Sequence, residues 1–252
     1  MPAQGAIGRY SMRLKFEAFR KHIGLDNRLL VVAPHPDDET IGCGGLIGFA
    51  RSHGIEVGVV VVTDGSASHP GSSIWPPMRI AHQRKQELVD ALTVLGVSRA
   101  PCFLDLPDAG TADLRADQKL NAQISLSTHI SRFSPDVVLT TWRREPHCDH
   151  RFSYALTRDA MRLCGSTARC IEYMVWTYLI GSADERPKPG ESERVYLDIE
   201  AMRERKRSAL EMHESQLGGM IVDDPEGFAL TRLQLDSMIS GDEQFEITSP
   251  SY

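Results

Sequence analysis

Four residues with acid–base or metal-binding side chains lie within five positions of one another: His35, Asp37, Asp38 and Glu39. They follow residues 29–33, an apolar run that predicts a strand buried on both faces. Neighbouring carboxylates repel each other, so the cluster favours a bound cation or an acid with a raised pKa. Asp38 could instead cap the following helix. A histidine three residues earlier, in a turn stiffened by proline, favours a functional site over a plain cap.

A second cluster follows another predicted strand, at residues 137–141, after a short loop. It contains His147, Cys148, Asp149 and His150. Two histidines three positions apart can point at one centre, and Asp149 is available to orient an imidazole by hydrogen bonding. Taken alone, this segment fits a surface turn equally well.

The two clusters gain meaning together, because both stand at the predicted carboxyl ends of strands. Open α/β sheets bind ligands at that edge. A catalytic zinc site needs about three protein ligands drawn from histidine and carboxylate, with one position open to water. His35, Asp38 and His150 meet that count. Cys148 is an alternative soft ligand, but we prefer His150 because neutral imidazole suits zinc.

The elements that must position these clusters are predicted from alternating apolar runs and helical stretches. Strands are expected at residues 29–33, 57–62, 102–104 and 137–139, and helices at residues 41–52, 80–95, 114–133 and 151–163. Strand–helix–strand alternation predicts right-handed βαβ units. We therefore expect an α/β fold with a mostly parallel sheet and helices on both faces.

The last third of the chain has a different pattern. Strands are expected at residues 171–180 and 195–199, and a charged helix at residues 202–217. Two polar segments, residues 65–77 and 182–190, are expected to be long mobile connections. We predict one domain over residues 1–252, with an N-terminal helical extension at residues 1–25 and a flexible tail at residues 240–252.

Composition limits the class of protein. The chain has 252 residues, with 28 Lys and Arg against 34 Asp and Glu, giving a net charge of −6. This balance argues against nucleic acid or an anionic membrane as the main partner. The apolar run at residues 57–62 is too short for a membrane span, the first residues lack a signal-peptide core, and the five cysteines form no CxxC pair. We expect a cytoplasmic protein; its association into a homo-oligomer stays open.

Two segments resemble the motifs of a known family. VVAPHPDDETIGCGG, at residues 31–45, is similar to the signature of the LmbE-like, or PIG-L-type, zinc-dependent deacetylases, and PHCDH resembles their second motif, HxDH. Further likeness lies in Thr63-Asp64-Gly65, Arg84, Glu87, Leu106-Pro107-Asp108 and His213-Glu214-Ser215-Gln216. The resemblance covers roughly residues 28–217.

This resemblance implies a Rossmann-like fold and the hydrolytic removal of an acyl group, usually acetyl, from an amino sugar. It implies that His35, Asp38 and His150 are the metal ligands and that Asp37 is the general base. It also implies that His147 stabilises the oxyanion with support from Asp149, and that substrate contacts come from Arg84 and Asp108. One departure is Glu145, where some sugar deacetylases have tyrosine; we expect it to make the pocket more acidic.

The leading hypothesis is therefore a zinc-dependent hydrolase that removes the N-acetyl group from a small molecule containing N-acetylglucosamine. An amidase of a larger acylated sugar conjugate is the rival within enzymes, and residues 65–77 and 182–190 are expected to set the pocket volume that discriminates them. A non-catalytic metal-containing binding domain is the rival of another class. A dinucleotide-dependent oxidoreductase is weaker, because the GxGxxG fingerprint is incomplete. Zn²⁺ is the predicted cofactor, and iron stays open as the native metal.

Overall fold

The computed structural model describes residues 12–248, which form an eight-stranded, mostly parallel sheet with helices on both faces. This confirms the predicted α/β fold. The strands are β1 (Met12–Leu14), β2 (Arg28–Ala33), β3 (Glu56–Thr63), β4 (Cys102–Leu106), β5 (Val137–Thr141), β6 (Arg169–Tyr173), β7 (Glu193–Leu197) and β8 (Glu243–Ile247). The α-helices are α1 (Phe16–Ile23), α2 (Asp38–Ser52), α3 (Pro77–Val94), α4 (Ala116–Phe133), α5 (Cys148–Leu163), α6 (Arg203–Glu211) and α7 (Arg232–Ser240).

The central strand β2 shows why the sheet is covered on both sides. Successive side chains of a strand point to opposite faces. Leu29 and Val31 enter a core shared with α1, α2, α3 and α6. Leu30 and Val32 enter a second core, built with α4 and α5. A strand buried on both faces has no polar side to present, which explains its continuous apolar sequence. Among the helices in this part of the chain, none has the length and apolar composition that a membrane span needs.

The order of the strands creates a crevice beside β2. Across the sheet this order is β1-β7-β8-β6-β5-β2-β3-β4. Strand β2 pairs in parallel with β3 on one side and with β5 on the other, so the chain extends the sheet in both directions from this point. Such a switch in direction separates the loops that follow the two neighbouring strands and leaves room for a ligand. Both sequence clusters lie at the ends of these loops and in the first turns of the helices α2 and α5 that follow them.

The predicted flexible tail at residues 240–252 is wrong for its central part. Residues 243–247 form β8, which pairs antiparallel with β6 and β7 inside the sheet. Glu243 and Glu246 make this segment look exposed, but both are buried. Lys206 donates to Glu243 at 2.8 Å, and Arg194 donates to Glu246 at 2.6 Å. Cationic side chains from other segments therefore allow this polar sequence to form an internal strand of the sheet. Residues 249–252 lie outside the described part.

Three further expectations differ from the structure. The strand predicted at residues 171–180 ends at Tyr173 and is followed by turns. The helix predicted at residues 202–217 is divided into α6 and a 3₁₀ turn at Glu214–Gln216. The predicted N-terminal helical extension contains the helix α1, which buries Phe19 and Ile23 in the core, but residues 12–14 form the strand β1 paired with β7; residues 1–11 lie outside the described part.

The two loops predicted to be mobile are both held by hydrogen bonds. In residues 65–77, the Asp223 carboxylate accepts bonds from the backbone of Ser73 and Ile74 at 2.8 and 3.0 Å. In residues 182–190, Arg144 donates to the backbone oxygens of Asp184 and Arg186 at 3.1 and 2.9 Å. Residues 65–77 are thus attached to the segment that contains Asp223, and residues 182–190 to the segment after β5 that contains Arg144.

Candidate active site

The structure brings the two sequence clusters together at the carboxyl ends of β2 and β5. The ring centroids of His35 and His150 lie 5.3 Å apart, and His147 lies 5.0 Å from His35. Ring nitrogens of the three histidines all fall within 4.8 Å of one another. The juxtaposition follows from the parallel pairing of β2 with β5, which places both loops at one edge.

An Asp38 oxygen lies between two of these imidazoles. Asp38 Oδ2 is 3.1 Å from His35 Nδ1 and 3.2 Å from His150 Nε2. Donor atoms bound to one tetrahedral zinc ion at about 2.0–2.2 Å lie roughly 3.3–3.6 Å from one another. Moreover, His150 Nε2 is buried and makes no well-formed hydrogen bond. Both separations from Asp38 Oδ2 are close to this value, and His150 Nε2 has no other partner, so these side chains can hold a divalent metal ion.

The electrostatics of this group favour a charged carboxylate beside the imidazoles. Burial would raise the pKa of Asp38, but His150 and His35 outweigh it and hold that pKa below its usual value. Burial would lower the pKa of His150, and the Asp38 carboxylate instead raises it to about 9. The site therefore keeps a carboxylate oxygen and imidazole nitrogens together although these side chains are largely buried.

Asp37 lies beside this group in a strained backbone conformation. Its φ of 146° is rare for a residue with a side chain, and such strain is concentrated at functional sites. Asp37 precedes the first residue of α2, yet its side chain makes no capping bond, and Asp38 is directed to His35 instead. Burial raises the pKa of Asp37 to about 7 against the lowering effect of Arg84. Helix capping therefore does not explain these two aspartates.

Arg84 holds the turn that contains Asp37. Its Nη2 donates to Asp37 Oδ2 and to the backbone oxygen of Pro36, both at 3.1 Å. Its Nη1 donates to the backbone oxygen of Gly65 at 3.0 Å. Gly65 has a φ of +68°, and a Cβ there would lie 2.8 Å from Nη1, so this approach requires glycine. Arg84, predicted to bind substrate, thus holds the Asp37 carboxylate and the neighbouring backbone in place.

Asp149 is closer to His35 than to the imidazole that it was expected to support. Its Oδ2 lies 3.1 Å from His35 Nε2 and 3.9 Å from His147 Nδ1. It is fixed by bonds from Ala109 N at 2.7 Å and Thr111 Oγ1 at 2.5 Å. The nearest imidazole to the Asp149 carboxylate is therefore His35, and support of His147 by this carboxylate stays a prediction.

His147 receives its support from the backbone. The amide of Asp149 donates to His147 Nδ1 at 3.3 Å, so in the neutral ring the proton is on Nε2. Burial, followed by the neighbouring His35, lowers the pKa of His147 and favours that neutral form. The ring is partly exposed and lines the pocket, where its Nε2–H can serve as a hydrogen-bond donor.

The pocket above these residues has a volume of about 180 Å³. Asp108 forms part of its wall, with Oδ1 3.0 Å from His35 Nε2 and Oδ2 accepting from Ala67 N at 2.9 Å. Two aromatic rings form another part: Trp176 and Phe228 meet edge to face with centroids 5.7 Å apart. The cavity therefore combines polar groups over the site with an apolar wall, as small-molecule sites commonly do.

Cys148 lies at the edge of the group around His35, with its Sγ within 4.8 Å of ligand atoms of His147 and Asp149. Its Sγ lies 3.5 Å from Asp149 Oδ1, and burial together with that carboxylate raises the pKa of the thiol. Metal coordination by cysteine requires the thiolate. His150 is thus the better donor, as the sequence favoured.

Comparison with known proteins decides the family. A family model described as PIG-L, GlcNAc-PI de-N-acetylase, matches residues 30–161, more than half of the chain. The chain belongs to the PIG-L family. The predicted family assignment, and with it the deacetylase class of hydrolase, is confirmed. The matched residues contain both clusters that the structure brings together.

Curated relatives of this PIG-L protein include two bacterial enzymes, each named 1D-myo-inositol 2-acetamido-2-deoxy-alpha-D-glucopyranoside deacetylase. The one from Rhodococcus jostii is 29% identical and aligns over 76% of this chain and 82% of its own length. The one from Mycobacterium leprae is 31% identical and aligns over 69% of this chain and 60% of its own length.

A solved structure shares the fold of this PIG-L protein. It is the N,N'-diacetylchitobiose deacetylase from Pyrococcus horikoshii, with a TM-score of 0.65 and 21% identity, covering 92% of each chain. This similarity concerns the arrangement of the sheet and helices.

Sequence reasoning misplaced or missed three residues of the site. Trp176 was assigned to a strand but lies in the turn after β6, and Phe228, which follows the last predicted helix, was not considered. Glu145 was expected to make the pocket more acidic, which is wrong. It is fully buried behind His150 and does not line the pocket.

Proposed function

We propose that this chain is a zinc-dependent N-deacetylase that hydrolyses the acetamido group of a small molecule containing N-acetylglucosamine. One observation carries the proposal: Asp38 Oδ2 lies within hydrogen-bonding distance of both His35 Nδ1 and His150 Nε2, beside the buried Asp37 and below a pocket. Membership of the PIG-L family supports the reaction class. The relatives named for a 2-acetamido-2-deoxy-glucopyranoside support the substrate class.

The metal would be held by His35, Asp38 and His150. Two imidazole nitrogens and one carboxylate oxygen form a ligand set typical of catalytic zinc, with a coordination position left for water or substrate. When bound, the ion makes water more acidic and polarises a carbonyl oxygen. An amide needs both effects, because it is a poor electrophile with a poor leaving group.

Asp37 is the proposed general base. It takes a proton from the attacking water, whose oxygen adds to the acetyl carbonyl carbon. A pKa of about 7, raised by burial, suits a group that must accept and then release a proton near neutral pH. When the C–N bond breaks, this proton can pass to the departing nitrogen. The products are acetate and the free amine.

His147 is the proposed donor to the carbonyl oxygen as that oxygen becomes negative. Its Nδ1 accepts the Asp149 amide, which leaves Nε2–H free for the substrate. A donor that is already oriented stabilises developing charge without a large reorganisation cost. The Asp149 carboxylate would act through His35, whose Nε2 it contacts.

The pocket supports a small acyl group and a sugar. A volume of about 180 Å³ is below the usual range for drug-sized ligands, so it favours acetyl over a long acyl chain. Trp176 and Phe228 offer an apolar wall to a sugar ring, and Asp108 and Arg84 line the polar side. A cytoplasmic location and self-association stay predictions.

The experiment that tests this function measures both products. The purified protein, loaded with Zn²⁺, is incubated with a panel of N-acetylated amino sugars that includes an inositol glycoside and diacetylchitobiose. We expect equal amounts of acetate and free amine, abolished by a chelator and by Asp37→Asn. Release of a longer acid only, from acylated conjugates, would replace the proposal with the amidase. Tight sugar binding with neither product would indicate a non-catalytic binding domain.

A further inference from the structure

Glu145 is a fully buried carboxylate placed between a metal-ligand candidate and the pocket wall. Three consecutive backbone amides donate to it: Val175 and Thr177 to Oε1, both at 3.1 Å, and Trp176 to Oε2 at 2.9 Å. The Thr177 hydroxyl also donates to Oε1. Glu145 therefore fixes the turn after β6 that brings Trp176 into the pocket.

The same carboxylate faces His150 from the side opposite Asp38. Oε1 has three donors and Oε2 has one, which leaves acceptor capacity on Oε2. This oxygen lies 3.4 Å from His150 Nδ1. The contact is longer than a well-formed bond, and neither ring nitrogen of His150 has another hydrogen-bond partner. A proton on Nδ1 thus has a ready acceptor in Glu145.

We propose that Glu145 is a positioning residue that keeps the proton of His150 on Nδ1, so that the lone pair of Nε2 is directed to the metal. The inference rests on the proposed metal site. It gives His150 the same kind of support that His35 has, whose Nε2 is 3.1 Å from Asp149. A carboxylate behind a ligating imidazole fixes its tautomer and makes it a stronger ligand.

Replacing the carboxylate by an amide tests this role sharply. In Glu145→Gln, the amide oxygen belongs at the Oε1 position, where three donors converge. The NH₂ group then faces His150 Nδ1 and donates where an acceptor stood. It favours the tautomer with the proton on Nε2, which cannot bind metal through that nitrogen. The variant keeps the size of the side chain; besides changing the ligand, it removes the Oε2 acceptor of the Trp176 amide.

The matched control is Thr177→Val, which removes the hydroxyl donor from the same carboxylate and keeps its charge. For both variants, Zn²⁺ affinity is measured by competition with a chromophoric chelator, and the Co²⁺-substituted protein is compared by visible absorption. We expect Glu145→Gln to weaken Zn²⁺ binding about 10–100-fold and to change the cobalt spectrum. Thr177→Val should keep affinity and spectrum while lowering the unfolding temperature of the metal-free protein.

A measurement on the wild type guards against a Gln variant that does not fold. In the ¹⁵N NMR spectrum of the Zn²⁺-loaded protein, His150 should show a protonated Nδ1 and a metal-bound Nε2. Metal binding through Nδ1 would overturn the inference. So would equal Zn²⁺ affinities and cobalt spectra for Glu145→Gln and the wild type, or equal losses of affinity in Gln and Thr177→Val.

The outcome is separable from that of the proposed reaction. If Glu145→Gln weakens metal binding as expected while the wild type releases no acetate, the deacetylase proposal fails and the role of Glu145 stands. If the wild type binds neither Zn²⁺ nor Co²⁺, the metal site is refuted and the inference about Glu145 with it.

Discussion

The Arg84 guanidinium donates to the Asp37 carboxylate at 3.1 Å, and both side chains are buried. Arg84 lowers the pKa of Asp37, whereas burial raises it to about 7. The charge state of the proposed base therefore depends on burial and on a residue of α3 that lies outside both sequence motifs.

Removing this charge should shift the pH dependence of the reaction. In Arg84→Met, Asp37 loses its positive neighbour, so its pKa rises and a larger fraction is protonated at neutral pH. A base must be ionised to act, so we expect the acidic limb of the profile of kcat/KM against pH to move to higher pH. Arg84→Lys, which retains a positive charge, should move it less. An unchanged limb in the Met variant would show that Asp37 is not the titrating base.

Replacing Asp37 or Asp38 by asparagine should impair different properties of the protein. We expect Asp37→Asn to retain metal and to lose at least about 10²-fold in kcat, because it lacks only the base. Asp38→Asn should lose metal affinity, because its Oδ2 is the oxygen shared by His35 and His150. Metal content after dialysis, measured beside kcat, checks both. Loss of metal from Asp37→Asn alone would mean that the two roles are exchanged.

Metal removal should affect stability as well as activity. Zn²⁺ that binds only the folded state at 100 times its Kd adds about 2.7 kcal/mol to the free energy of unfolding. We therefore expect a chelator to abolish acetate release and to lower the Tm, and added Zn²⁺ to restore both. His150→Ala should abolish this shift in Tm with Zn²⁺. A shift of wild-type size in that variant would place the bound metal elsewhere.

The ion pair that supports β8 should be important for stability. Lys206 and Glu243 are 1% and 2% exposed, with Nζ 2.8 Å from Oε1. Removing one partner of a buried pair leaves an uncompensated charge. We expect Lys206→Met to lower the free energy of unfolding by about 3 kcal/mol. This is the lower end for such pairs, because the Gly45 and Leu46 amides still bind Glu243.

An exposed pair provides the control for this measurement. Arg207 and Asp236 are 38% and 50% exposed and 3.5 Å apart. Arg207→Met should cost less than about 1 kcal/mol, since water screens such pairs. Urea unfolding of both variants measures the difference. Similar costs for the two would show that the buried pair is not what holds β8 in the sheet.

The sequence by itself determined the central strands and the groups that meet at their ends. Residues 29–33 are apolar throughout, which is typical of a strand that is buried on both faces. His35 lies in the loop after β2, Asp38 begins the helix that follows this loop, and His150 lies in the first turn of the helix that follows β5. Because parallel strands place those loops at one edge, local pattern was sufficient to predict that the three would lie together.

Tertiary structure decided the features that depend on distant partners. Glu243 and Glu246 look exposed in the sequence, and β8 is internal because Lys206, Arg194 and the Gly45 and Leu46 amides satisfy these carboxylates. Glu145 likewise looked like a pocket acid. It is turned away from the pocket because the amides of the turn at residues 175–177 and the imidazole of His150 converge on it. The free energy of burying a carboxylate depends on donors that the fold supplies from elsewhere, and no local pattern encodes them.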